Sequence, residues 1–116
     1  MDRLIHVVGH RHPDTDSVCS AIALAHFKTA MGAAGVRPAR AGNLNPESRF
    51  VLQRFGLPEP ELLESGAGRH LVLVDHNEVA QAVPGIDRAT ILEVWEHHRV
   101  GDLPLPEPIV FHCEPV

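Results

Sequence analysis

Apolar positions along the chain fall into short runs separated by polar turns, and the period of each run predicts an element. Leu4 to Val8 is a short apolar run with isoleucine and valine that stops at Gly9, the pattern of a buried strand. A constrained loop, Gly9 to Pro13, leads into a helix read from Thr15 to Met31. Asp14, Thr15 or Asp16 offer its N-cap, Val18, Ile22, Ala25 and Phe27 its apolar face, and Gly32 or Gly35 its stop. Arg37 to Ala41 reads as a short second strand. Asn45-Pro46 then starts a helix over Glu47 to Phe55 that closes at Gly56. Prolines break Leu57 to Leu63, which is expected to be irregular.

The second half repeats the alternation. Leu71, Val72, Leu73 and Val74 lie inside a strand read from Arg69 to Asp75, and such an unbroken apolar run fits a central strand covered on both faces. It ends in Asp75-His76-Asn77. A polar helical or turn segment around Glu78 to Ala82 precedes another apolar run, Ile91 to Trp95, which ends in Glu96-His97-His98. Pro104, Pro106 and Pro108 enforce an extended loop, and Ile109 to Cys113 makes a last strand. There is no internal repeat and no low-complexity tract. Strands alternating with helices predict an α/β fold with a mostly parallel sheet flanked by helices, in which ligands bind at the carboxyl ends of the strands. Three polar clusters fall there: Gly9-His10 after one strand, Asp75 after a second and His97-His98 after a third.

Composition narrows the reading. A chain of 116 residues with 44% hydrophobic and 22% charged residues fits one soluble domain. A formal net charge of -5 works against nucleic acid or an anionic membrane as partner, so a phosphate ligand needs a local cation. Neither a signal peptide nor a run of roughly 20 apolar residues is legible, and a cytoplasmic location is expected. Cys19 and Cys113 are far apart and are expected to be reduced, buried small residues.

Histidine changes the picture most, because nine are present and several stand beside aspartates. In His10-Arg11-His12-Pro13-Asp14-Thr15-Asp16, an imidazole and two carboxylates can converge where a loop turns into a helix. Mixed imidazole and carboxylate donors suit a divalent ion such as manganese, and magnesium less obviously. Asp75, whose two oxygens can bridge, and His97 complete a ligand set for two ions roughly 3.5–4 Å apart, the spacing of two-metal hydrolases. Each motif alone has a plainer explanation. Asp14 and Asp16 can cap a helix, Asp75 can end a turn, and a His pair can simply be exposed. Joint placement after three strands favours a common site. His6, His26, His70 and His112 receive no role, and His12 and His76 carry no independent argument. Trp95 is read as core, and Arg99 as a phosphate contact or a solvated side chain.

The run Gly9-His10-Arg11-His12-Pro13-Asp14-Thr15-Asp16-Ser17, continuing through Ser20-Ala21-Ile22-Ala23, resembles the first signature of family II, manganese-dependent inorganic pyrophosphatases within the DHH phosphoesterase superfamily. Gly42-Asn43-Leu44-Asn45, Val74-Asp75-His76-Asn77-Glu78 and His97-His98-Arg99 follow in the expected order. Val79 to Ile86 is similar to members that carry regulatory CBS domains, although no such insert is present. The resemblance implies a Rossmann-like DHH domain, with His10, Asp14 and Asp75 holding one metal ion and Asp16, Asp75 and His97 the other. It further implies two Mn2+ ions (Co2+ or Mg2+ as substitutes), His98 as a polarising or proton-donating catalytic group, and a metal-bridging water that splits pyrophosphate into two orthophosphates.

Two departures qualify the match. The family's Asp-His-His reads Glu96-His97-His98 here, a lengthened carboxylate expected to act on the His97 ring. The chain also stops before a further metal-ligand aspartate and before the DHHA2-type C-terminal domain whose lysine and arginine grip phosphate. Residues 1–116 are therefore expected to form a partial DHH domain with weak or no activity alone. The alternatives are a DHH phosphoesterase acting on polyphosphate or short oligonucleotides, and a non-catalytic metal-binding or interaction module whose cut sheet favours a homo-oligomer.

Overall fold

The computed structural model describes residues 3–103, 105 and 108–114. Six strands, β1 (Ile5–Val8), β2 (Val36–Arg40), β3 (Glu61–Leu62), β4 (His70–Val74), β5 (Thr90–Glu96) and β6 (Val110–Cys113), form one sheet in the order β3-β2-β1-β4-β5-β6. Every neighbouring pair is parallel. Helix α1 (Thr15–Ala30) joins β1 to β2, and α2 (Pro46–Arg54) joins β2 to β3. The chain steps outward from β1 to β3 and then restarts on the other side of β1 with β4. The junction of β1 and β4 is thus the point where the strand order reverses, the place where open α/β sheets hold ligands.

Local chemistry sets the helix starts. Asp14 is extended (φ -93°, ψ -178°) and its Oδ1 accepts from the Ser17 amide at 2.8 Å, while Asn45 does the same for Ser48 at 2.7 Å with Pro46 just inside α2. Each cap satisfies an amide that has no partner within the helix.

Strand alternation distributes the core over both faces. Val7, Val72 and Val74 pack against Ala21 and Ala25 of α1, whereas Val8, Leu71, Leu73 and Val94 build the opposite layer with Ala82, Val83 and Ile86. The register pairs Val7 with Val72 and Val8 with Leu73, so like faces meet. A register shift between Leu71 and Val72 leaves Leu92 as the extra residue of β5. That bulge brings Ile91 and Val94, three positions apart, into the same layer.

Several expectations shift. Boundaries move by a residue or so: Leu4 is exposed before β1, α1 ends at Ala30 with Met31 as its cap, and β2 and α2 each begin one residue earlier than read. Leu57 to Leu63 contains β3, a two-residue edge strand held to β2. Phe27 is 56% exposed instead of facing the sheet. It follows Val18 by nine positions, which at about 100° per residue turns it away from the side that packs on α2 and toward an open groove beside Leu24 and Trp95. Trp95 packs against the edge of the cluster formed by Val72, Val74, Ala21 and Ala25 but stays half-buried, its ring stacked on His112 at 3.7 Å. Cys113 is exposed on the edge strand and Cys19 half-buried, so neither is the fully buried residue expected. Pro104 and Pro106 of the expected extended loop lie outside the described residues.

Candidate metal centre

Each strand of the middle of the sheet delivers a polar residue at its carboxyl end. β1 runs into Gly9 and His10, β4 into Asp75, and β5 into His97 and His98, while the first turn of α1 presents Asp14 and Asp16. The loop after β1 is pinned from two sides. A side chain at Gly9 would collide with the Ser17 hydroxyl, which accepts from the His10 amide at 3.2 Å. A side chain at Gly42 would collide with the Arg11 carbonyl. The Arg11 amide and guanidinium in turn donate to the carbonyls of Gln81 and Ala82 at 2.7 and 2.5 Å. His10 is thereby fixed over the sheet.

Asp75 occupies the centre. Its side chain is 5% exposed, and its backbone takes φ 63°, a left-handed conformation that aspartate tolerates better than most residues. Such conformations concentrate at functional sites. Its two oxygens serve opposite sides: Oδ2 lies 3.4 Å from His10 Nε2 and Oδ1 lies 2.7 Å from His97 Nε2. His10 Nε2 also stands 3.7 Å from Asp14 Oδ1, and His97 Nε2 stands 3.4 Å from Asp16 Oδ2. Two groups of imidazole and carboxylate therefore share one carboxylate.

These contacts shape the charge. The Asp75 hydrogen bond raises the His10 and His97 pKa values above the ordinary imidazole range, against an opposing effect of burial. Burial alone would raise the Asp75 carboxyl, but hydrogen bonds from His10 and His97 outweigh it and hold it below the usual range. His76, buried with Nδ1 at 2.8 Å from the Val74 carbonyl, is pushed down by desolvation. The donors suit divalent ions: imidazole nitrogen and carboxylate oxygen converge, with thiolate absent from the cluster among the described residues.

The ligands that the resemblance implied are brought together as follows. His10, Asp14 and Asp75 have donor atoms within 4.8 Å of one another. On the other side the same proximity groups Asp75 with His97, His98 and Glu96, and Asp16 reaches it only through His97. Glu96 is a poor ligand despite its closeness. Its buried carboxylate already accepts from Asn77 Nδ2 (2.7 Å) and the His97 and His98 amides (2.8 and 3.1 Å), and lies 2.6 Å from His98 Nδ1. Those donors hold its pKa low despite the opposing burial. Glu96 thus bonds the ring of His98, whereas the expectation placed its effect on the ring of His97. Asn77 and Ser17 were overlooked in the sequence as working residues; the only signal was that each lies inside a quoted motif. The cleft above these residues measures about 390 Å³, and Arg99 is the Lys or Arg side chain among the described residues that line it.

The N-terminal domain profile of the DHH family matches residues 4–116. The chain belongs to the DHH family. A manganese-dependent inorganic pyrophosphatase of Methanothrix thermoacetophila is 49% identical over 112 residues, covering 97% of this chain and 36% of the relative. Another, from Methanocaldococcus jannaschii, is 45% identical over 96% of this chain and 34% of its own length. A crystal structure from Methanococcus jannaschii, assigned as a family II inorganic pyrophosphatase, superposes with a TM-score of 0.88 at 44% identity, covering 97% of this chain and 35% of that one. This DHH chain therefore spans little more than a third of the relatives it matches. The longest described helix has 16 residues, and no described helix is long and apolar enough to cross a membrane.

Proposed function

We propose that this DHH domain is the metal-binding part of a manganese-dependent inorganic pyrophosphatase, with residues 1–116 as a partial domain that works with a further, cation-bearing region. The observation that carries the reading is Asp75, buried between His10 and His97 with one oxygen toward each. His10, Asp14 and Asp75 would hold one ion, and Asp16, Asp75 and His97 the other. Two divalent ions, when bound, supply Lewis-acid polarisation of the phosphoryl oxygens and acidify the attacking water. The chain's own contribution is positional: the strained turn at Asp75 and the pinned His10 loop set the ligands before any ion arrives, and His98, at the cleft rim, presents a ring nitrogen as the polarising or proton-transferring group.

Relatives named for pyrophosphate hydrolysis at 45–49% identity favour pyrophosphate over longer polyphosphates or short oligonucleotides. One arginine at the cleft is too little positive charge for a phosphoanhydride, which is why a second, basic region is part of the proposal. Two free cysteines accord with a reducing, cytoplasmic setting. The non-catalytic reading draws on one feature, an open apolar groove beside Phe27, Leu24 and Trp95 that invites self-association.

The test joins this chain to the region that follows the matched segment in the Methanothrix thermoacetophila relative and measures orthophosphate release. Manganese-dependent hydrolysis of pyrophosphate, lost in Asp75→Asn, is the expected result. Preference for polyphosphate or oligonucleotide would transfer the chain to the sister activity. No hydrolysis by a folded, manganese-loaded protein would leave the binding module as the correct reading.

A further inference from the structure

We infer that Glu96 is a positioning residue that keeps the proton of His98 on Nδ1, and that a chain of hydrogen bonds from the backbone of Arg99 and Gly101 dictates this. The chain begins with groups whose roles are invariant. The Gly101 amide can only donate, and its partner is Asn77 Oδ1. The Arg99 carbonyl can only accept, and it lies 3.0 Å from Asn77 Nδ2. The Asn77 amide is therefore oriented from both ends, and its second N–H must go to Glu96 Oε2 at 2.7 Å. A side chain at Gly101 would crowd Asn77, so the close approach that anchors the amide depends on glycine.

The same logic passes through Glu96. Its Oε1 receives two backbone donors, the amides of His97 and His98, at 2.8 and 3.1 Å. Three fixed N–H donors, two on Oε1 and one on Oε2, favour the ionised, all-accepting carboxylate over a carboxyl that would crowd a hydrogen onto Oε1 beside two amide hydrogens. His98 Nδ1, 2.6 Å from Oε1, then has to be the donor, since a nitrogen lone pair there would face an oxygen lone pair. Asp75 Oδ1 is 3.9 Å from the same nitrogen, too far to compete. Asn77 is 2% exposed and the Glu96 side chain 1%, so the anchoring half of the network is shielded from water, while the His98 side chain, 56% exposed, opens to the cleft. Nε2 is left as the ring nitrogen of His98 with no protein partner among the described residues, on a side chain that lines the cleft.

The inference rests on the proposed hydrolysis only for the use to which Nε2 is put. Its test needs neither metal nor pyrophosphate, so the two fail separately. Long-range nitrogen–proton correlation spectra of the 15N-histidine-labelled chain, at alkaline pH where an imidazole carries one proton, report the tautomer of His98 directly. The Nδ1–H form should dominate in the unaltered chain. In Glu96→Ala the ratio of Nδ1–H to Nε2–H should fall on the order of ten-fold, the loss expected for one charge-assisted hydrogen bond. Glu96→Asp, which keeps the carboxylate, should restore most of it. Should Glu96→Ala unfold, Asn77→Ala, which removes the anchor and leaves the carboxylate, should lower the ratio by a smaller factor. A dominant Nε2–H form in the unaltered chain overturns the inference. So does an unchanged ratio in whichever of the two alanine variants is folded.

Discussion

Asp75→Asn separates a shared ligand from two independent ones. The side chain faces His10 through Oδ2 and His97 through Oδ1, so every ion the cluster can hold draws on this one carboxylate. Asparagine keeps its size and is among the residues best suited to φ 63°, whereas an alanine there would add about 1–2 kcal/mol of backbone strain to the chemical effect. Losing a partner that merely orients a ligand costs about 10–100-fold in metal affinity, so removing the charge of a ligand common to both ions should exceed ~100-fold for each. Asp14→Asn changes only the His10 side and retains the helix cap, because asparagine caps as well as aspartate. Manganese titration by calorimetry is then expected to give two ions in the unaltered chain, one in Asp14→Asn and none in Asp75→Asn, each apo variant still unfolding cooperatively. Two ions retained in Asp75→Asn would refute the shared carboxylate.

Manganese binding should release protons near neutral pH, since the raised His10 and His97 must be deprotonated to bind; the heat of binding should vary with the ionisation enthalpy of the buffer, and a buffer-independent heat would contradict this. Without metal, the stabilisation from the two raised histidines is complete below about pH 6.5 and is lost as pH rises through their folded values, while that from the lowered Asp75 is present above about pH 4 and is lost as pH falls through its folded value. Denaturation midpoints of the apo chain should therefore show the cluster's contribution greatest between those limits. Gly9→Ala drives a methyl group into Ser17 and should cost about 1–3 kcal/mol in urea unfolding, together with weaker manganese binding because His10 moves with the loop. His112→Ala uncovers one face of Trp95, the single tryptophan, and should shift its emission to longer wavelength without altering metal affinity.

The strands that carry the site were legible because of where they lie. β4, paired on both sides and covered on both faces, reads as four apolar residues in a row, and the polar residue that ends such a run is conspicuous. His10, Asp75 and His97 were accessible for that reason, and Asp14 and Asp16 through the opening turn of α1. β3 was not, since Glu61 and Leu62 are both exposed at the sheet edge and leave no hydrophobic period to detect. Phe27 failed for a related reason, and Trp95 joins the core only at its edge. An apolar residue declares that it can be buried, but whether a layer lies over it is decided by the path of chain far away in sequence.

The network behind His98 was illegible for a different reason, and it locates the limit of motif reading. Glu96 was noticed as a departure from Asp, yet its partners turned out to be backbone amides, the Asn77 side chain and His98, linked to a turn that closes at Gly101. Side-chain spacing carries no record of which backbone group will donate. On the proposed reading the outer contacts of this site place a proton and the inner ones hold the ions, and only the inner ones repeat as residue types at strand ends. A carboxylate one methylene longer can therefore serve the first task fully without altering the second. From the last position of β5, Glu96 meets Asn77 and His98 together. On this geometry the Asp-to-Glu departure is accommodated by the turn, and manganese affinity should be less sensitive to Glu96→Asp than to Asp75→Asn.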